Sequence, residues 1–298
     1  MAMKRYWLGL GAVVLLLGGV GLAVLLVPRE PVYQGRPISV WIQELTGPVA
    51  NFAGAVASPT LPRLLAQTPG PEILPYLRAT LHRGNSTVSR LYVRWYPRLP
   101  PPLVRRLPAP NPLRDTQLRY RAGLILYYMG PTAAAALPDL RDALRDESPE
   151  VRRIAATALG VLGPAARSAA PALLRALQDP MPDVRRAALR ALPGVENDPA
   201  RLVPAIADRL KDADPGVRTD AAEMLKDAGP KAELAVPALI RALEDPDNDV
   251  FIFAAQALGR IGPSARAAVP ALERALRAPR PYSETTLRWA LQQLQPQP

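Results

Sequence analysis

A period of 33 residues governs what this chain can fold into. Proline recurs at Pro138, Pro171, Pro204, Pro237 and Pro270, and leucine keeps the same interval at Leu144, Leu177, Leu210, Leu243 and Leu276. A Gly-Pro pair falls at Gly130-Pro131, Gly163-Pro164, Gly229-Pro230 and Gly262-Pro263; the missing member falls at Glu196-Asn197, inside "PGVENDPA". Self-similarity at such an interval marks an array whose units bury their apolar faces on one another. Within one unit, "VRRIAATALGVLG" sets Val151, Ile154, Ala155, Ala158, Leu159 and Leu162 on one helical stripe. Gly-Pro stops that helix, because glycine takes positive φ and proline cannot extend the hydrogen-bond ladder. A second helix follows in "AAPALLRALQD", with its proline near the start, where a missing N–H costs little. The fold class expected is all-α: an α-solenoid of five stacked helix pairs over residues 118–282, closed by a capping helix in residues 283–298.

The unit pattern, Asp, four residues, then "VRR-x-AA-x-ALG-x-LGP" and "AxPALxxAL-x-D", resembles the HEAT repeat in its short bacterial form, related to phycobilisome-lyase repeats. Residues 72–117 are similar to a degenerate unit with a Pro/Arg-rich insertion, since Pro75 and Val88 keep the spacing of Pro138 and Val151. The resemblance implies an Asp/Arg ladder between repeats, matched here by Asp146 and Arg152, Asp179 and Arg185, and Asp212 and Arg218, each six apart. An anion-binding row of arginines is the other reading of those positions. The resemblance also implies that second helices line the concave face. Two rows run along them: Asp142, Arg175, Asp208, Arg241, Arg274, and Arg145, Gln178, Lys211, Glu244, Arg277. Opposite signs there either neutralise one another between repeats or form a mixed-charge surface for a protein partner.

The chain opens with a different signal. From Tyr6 to Val27 no residue is charged, Lys4 and Arg5 precede the run, and Pro28 ends it. At ~1.5 Å per residue such a run crosses a hydrocarbon core of ~30 Å as a helix. It exceeds a secretory h-region and lacks a small-residue cleavage site, so residues 1–28 read as an uncleaved transmembrane anchor through residues 6–27. The short basic tail places the rest of the chain outside the cytoplasmic membrane, single-pass. Residues 29–71 read as a juxtamembrane segment with an extended start, then a short helix near Ser39 carrying Trp41, Ile42 and Leu45, as an N-terminal cap.

Two places break the repeat. Phe251 stands where sibling units carry the ladder arginine, with Phe253 beside it; the pair is either a partner anchor or packs beneath "RAPRPYSETT". The stretch from Ile73 to Arg114 holds eight arginines and no acid. Arg90, Arg94, Arg98, Arg105 and Arg106 alternate there with Tyr92, Trp95 and Tyr96, and "PRLPPPLVRRLPAPNP" is expected to run extended. Such a segment suits anionic lipid or an acidic protein, or is a solvated surface. Net charge agrees in placing the cations early: residues 1–117 carry 13 basic and 4 acidic side chains, residues 118–298 carry 24 and 22.

Chemistry is sparse. With no cysteine, disulfides, thiolate zinc sites and cysteine nucleophiles are excluded. The one histidine, His82, has no His-Glu motif, which argues against the iron-dependent hydroxylases of this repeat class. Near-neutral repeats behind an anchor argue against nucleic acid. No catalytic residue, metal site or cofactor is expected. The reading is a membrane-anchored scaffold or adaptor; a lyase-like accessory holding a small molecule or a protein client, and a polyanion binder, are the alternatives.

Overall fold

The computed structural model describes residues 32–33, 36–37, 40, 42, 70–105, 107, 109–277, 280–281 and 283–295. The apolar run at residues 6–27 lies outside them, as do Trp41, Leu45 and Arg106. No described helix is long and apolar enough to cross a membrane. The chain divides into two compact units, residues 1–128 and 129–298.

In the first unit, β1 (Val32–Tyr33) and β2 (Arg36–Pro37) pair antiparallel, Val32 opposite Pro37 and Tyr33 opposite Arg36. Ile42 is buried. Helix α1 (Gly70–Leu81) buries Ile73, Leu74, Leu77 and Leu81 on one face. Helix α2 (Thr87–Trp95) begins at Ser86, whose hydroxyl accepts from the Ser89 N–H at 3.0 Å. A 3₁₀ turn, Tyr96–Arg98, follows. The proline-rich run is not wholly extended: Pro101–Val104 forms one helical turn, α3. Its two prolines occupy first-turn positions, where the absent N–H would have no partner and the fixed φ suits a helix. Helix α4 (Pro112–Met129) buries Leu118, Ala122, Leu124, Ile125 and Leu126.

The second unit is helix pairs in register. A 3₁₀ segment, Gly130–Ala136, leads into α5 (Leu137–Ala143). Then come α6 (Pro149–Leu162) with α7 (Ala170–Ala176), and α8 (Pro182–Val195) with α9 (Pro199–Ala207). Next are α10 (Pro215–Ala228) with α11 (Val236–Ala242), and α12 (Asn248–Ile261) with α13 (Val269–Arg277). Helix α14 (Glu284–Gln293) closes the row. The stripe read from sequence is the core: Val151, Ile154, Ala155, Ala158, Leu159 and Leu162 are each at most 4% exposed.

Gly-Pro does more than stop a helix. Gly163 sits at φ 61°, ψ −138°, a region nearly closed to side-chain-bearing residues, and the chain then makes a 3₁₀ turn, Gly163–Ala169, before α7 begins. The second helices are therefore shorter than the pattern suggests, seven residues in α5, α7 and α11. Where Gly-Pro is missing, α8 continues through Pro193 to Val195, and α9 starts from an Asp198 cap without an intervening 3₁₀ turn.

Small residues set the spacing of the first helices. A Cβ built on Gly160 would lie 2.9 Å from both Cα and Cβ of Ala191, so α6 and α8 meet nearly backbone to backbone. Caps differ by unit. Ser148, Asp214 and Asp247 cap α6, α10 and α12 with a side-chain oxygen, whereas Met181 at the same register gives α8 none. Met181→Ser is expected to raise the unfolding free energy by about 1 kcal/mol, read from the urea midpoint with unchanged slope.

Candidate interaction surface

Two sets of arginines in the second unit have opposite fates. The first is held in a ladder. Arg152, on α6, donates from Nε and Nη2 to Asp179 at 2.7 and 2.8 Å, and from Nη1 to the Asp146 carbonyl at 2.9 Å. Arg185 repeats this on Asp212 and the Asp179 carbonyl, and Arg218 on Asp245 and the Asp212 carbonyl. Each aspartate also accepts the N–H two residues on, from Met181, Asp214 and Asp247. The carboxylate partner is thus 27 residues ahead, in the next unit; the aspartate six residues back contributes only its carbonyl. Bidentate, largely buried pairs of this kind clamp successive turns together and leave the guanidinium no spare face for an anion. Burial alone would push the Asp212 carboxyl up, yet the Arg185 fork, the Asp214 N–H and the Arg209 charge together hold it below its ordinary value.

The ladder ends at Phe251, which is 2% exposed. The Arg280 guanidinium lies over its ring, 4.5 Å from the centroid, and the Arg280 carbonyl accepts from the Ser283 N–H and hydroxyl. At the last rung the cation therefore comes from the C-terminal side and an aromatic replaces the arginine. Phe251 is consequently not an exposed anchor. Phe253 is half-buried, with Lys226 over its ring at 4.6 Å.

The second set is exposed. Asp142, Arg175, Asp208, Arg241 and Arg274 all face solvent on the second helices or the turns directly after them, as do Arg145, Gln178, Lys211, Glu244 and Arg277. The neutralisation between repeats expected within the first row does not occur. Asp142 meets its chain neighbour Arg141 at 3.9 Å, and Arg274 reaches Glu244 of the other row at 3.6 Å. Among the described residues, Arg175, Asp208 and Arg241 have no ion-pair partner within 4 Å. Exposed pairs as long as the two that form contribute at most about 1 kcal/mol each.

In the first unit, α2 turns Arg90 and Arg94 outward together with Leu91, Val93 and Trp95, while Tyr92 and Tyr96 meet edge to face on the inner side at 5.5 Å. The Arg98 guanidinium covers the Trp95 ring at 5.3 Å, and Arg105 is exposed. Nothing in the sequence spacing announced the base of this segment. Arg119, the α4 residue at the ladder register, donates from Nη1 to the Arg83 carbonyl at 2.7 Å. Donor and acceptor are 36 residues apart there, against six for Arg152 and Asp146. The stretch between α1 and α4 therefore does not keep the spacing of the ladder.

Helix pairs tied by such a ladder define an all-α repeat solenoid. The profile of HEAT repeats matches residues 101–193, 170–236 and 203–294, and the chain belongs to the HEAT-repeat family. Among solved structures it is similar to a designed armadillo repeat protein in complex with the peptide (KR)4, at 20% identity and TM-score 0.50, covering 65% of this chain and 99% of that one. It is similar also to an engineered protein at 23% identity and TM-score 0.47, covering 60% and 91%. At these identities the likeness concerns the fold. No curated protein matches this sequence.

Proposed function

We propose that this chain is a membrane-anchored interaction scaffold that holds a protein segment along its second helices. The observation that carries the reading is the division of arginines. Those at the ladder register are consumed by inter-repeat pairs, whereas Arg175 and Arg241 stand exposed with no ion-pair partner among the described residues. Repeat arrays offer a long surface with little chemistry of their own, and charged side chains left in water along that surface are available for complementary groups. The designed armadillo protein of similar fold is in complex with a basic peptide. The row here, with Arg175, Arg241 and Arg274 around Asp208, suits an extended segment of mixed charge whose acids face the arginines. The anchor is the uncharged run of residues 6–27. It places the scaffold at the cytoplasmic membrane, with the repeats on the outer side.

The test is affinity capture of the full-length protein from crosslinked, detergent-solubilised membranes, with mass spectrometry of what accompanies it. The triple variant Arg175→Glu, Arg241→Glu, Arg274→Glu is expected to melt within about 0.5 kcal/mol of the parent, because these side chains are solvated. It is expected to lose the captured protein. A partner retained by the triple variant would remove the second-helix face from the account.

A further inference from the structure

The segment between α1 and α4 is built rather than loose. Besides the Arg119 bond to the Arg83 carbonyl, Arg83 Nε donates to Asp115 Oδ1 at 3.0 Å, which closes its base. Gly84 takes φ +73° there, and a Cβ on it would collide with the Asp115 side chain. Inside, the Tyr96 hydroxyl reaches the Val104 carbonyl at 3.2 Å and the Leu107 carbonyl at 3.4 Å, folding the proline run back onto α2.

What this segment shows to the outside is unusual for a helix in water. Leu91 is 39% exposed, Val93 38% and Trp95 47%, all on a helix of nine residues. Leu91 and Trp95 lie one turn apart on the same side, flanked by Arg94 and by the Arg98 guanidinium stacked on the indole. Arg105 follows, and no acid interrupts the sequence from Ile73 to Arg114. We propose that α2 is an interfacial docking helix: Leu91 and Trp95 enter the headgroup layer of an anionic phospholipid surface, while Arg94, Arg98 and Arg105 meet its phosphates.

Two observations favour a lipid surface over an acidic protein. Shallow apolar side chains mixed with arginines suit a layer where tryptophan sits at the headgroup level and cations have many equivalent acceptors. Most of the chain's excess positive charge, +9 of +11, lies in the 117 residues that also hold the apolar run 6–27. The inference rests on the membrane reading above and commits it to one lipid class.

Because the chain has no cysteine, one introduced thiol reports one position. Leu91→Cys, labelled with a nitroxide in the full-length protein, is reconstituted in vesicles of phosphatidylcholine alone, and in vesicles of three parts phosphatidylcholine to one part phosphatidylglycerol. Accessibility to oxygen and to a water-soluble nickel chelate is read by electron paramagnetic resonance, with Arg175→Cys as the solvent-facing control. With phosphatidylglycerol, the label at 91 is expected to favour oxygen while that at 175 stays aqueous. Adding Arg94→Gln and Arg98→Gln is expected to lower the docked-to-free ratio by about fivefold per arginine, on the order of 25-fold together. A label at 91 that stays aqueous in both lipids would overturn the proposal, including in favour of an acidic protein. Equal immersion in both lipids, unmoved by the arginine changes, would overturn the headgroup assignment. Flotation with phosphatidylcholine vesicles reports residues 6–27 by itself, so failure of the anchor and failure of α2 are told apart.

Discussion

Arg185→Leu is expected to cost about 3–5 kcal/mol of stability, enough to unfold much of the second unit. The substitution keeps most of the side-chain volume and removes the fork. Asp212 is then left buried, its side chain only 5% exposed, with the Asp214 N–H at 3.0 Å and the Arg209 guanidinium at 3.9 Å as remaining partners. The Asp179 carbonyl loses its donor as well. Urea unfolding of parent and variant measures the difference, and its pH dependence identifies the cause. In the parent the Asp212 carboxyl is held below its ordinary value, so it adds stability above the usual carboxylate range and loses that contribution as pH falls through the lowered value. In the variant, burial acts with less opposition and the carboxyl moves up. Acid then relieves the variant, and the gap between the two proteins narrows below about pH 4. A gap independent of pH would mean that lost packing, not the stranded carboxylate, sets the cost.

Gly160→Val is expected to cost about 3 kcal/mol, although glycine within a helix is ordinarily the weaker residue. At Gly160 the first side-chain atom already falls 2.9 Å from the Ala191 backbone, and the facing Gly194 would place its own Cβ 2.8 Å from the Gly160 carbonyl oxygen. Helices α6 and α8 must separate to admit a branched side chain, and the separation disturbs the core to which they contribute the fully buried Leu159, Leu189 and Leu192. Thermal melting measures it. The paired variant Gly160→Val, Ala191→Gly is expected to recover part of the loss, because the clash has two named partners.

The repeat itself was open to reading from residues. The 33-residue interval placed every first helix, the Val151-to-Leu162 stripe was the core, and Gly-Pro marked each stop except that of α8. What escaped the reading needed partners distant in sequence. The ladder aspartate nearest Arg152 is Asp146, six residues back, but a guanidinium reaching forward across the stack meets Asp179 instead, and spacing alone does not tell a carboxylate partner from a carbonyl one. Likewise Val88 copies the register of Val151, while Arg119 reaches back 36 residues to the Arg83 carbonyl, past α2, where Arg152 reaches back six. The one-turn helix α3 hid in a proline run because proline opposes a helix interior yet favours its start. Phe251 was open to reading as an anchor or as packed beneath the C-terminal stretch, with packing favoured, and Arg280, from beyond α13, covers its ring. The exposure of Arg175 and Arg241 was legible as a periodic row, but their lack of partners was not.

The central claim is that the exposed second-helix row, and not the first-helix side, meets a partner. A photocrosslinking residue placed singly at positions 175 and 241, with Val161 and Asp183 on the first-helix side as controls, tests this in the membranes of living cells. The account predicts an adduct of one discrete mass from 175 and 241 and none from 161 or 183. Adducts confined to 161 and 183, or none at any position, would contradict it.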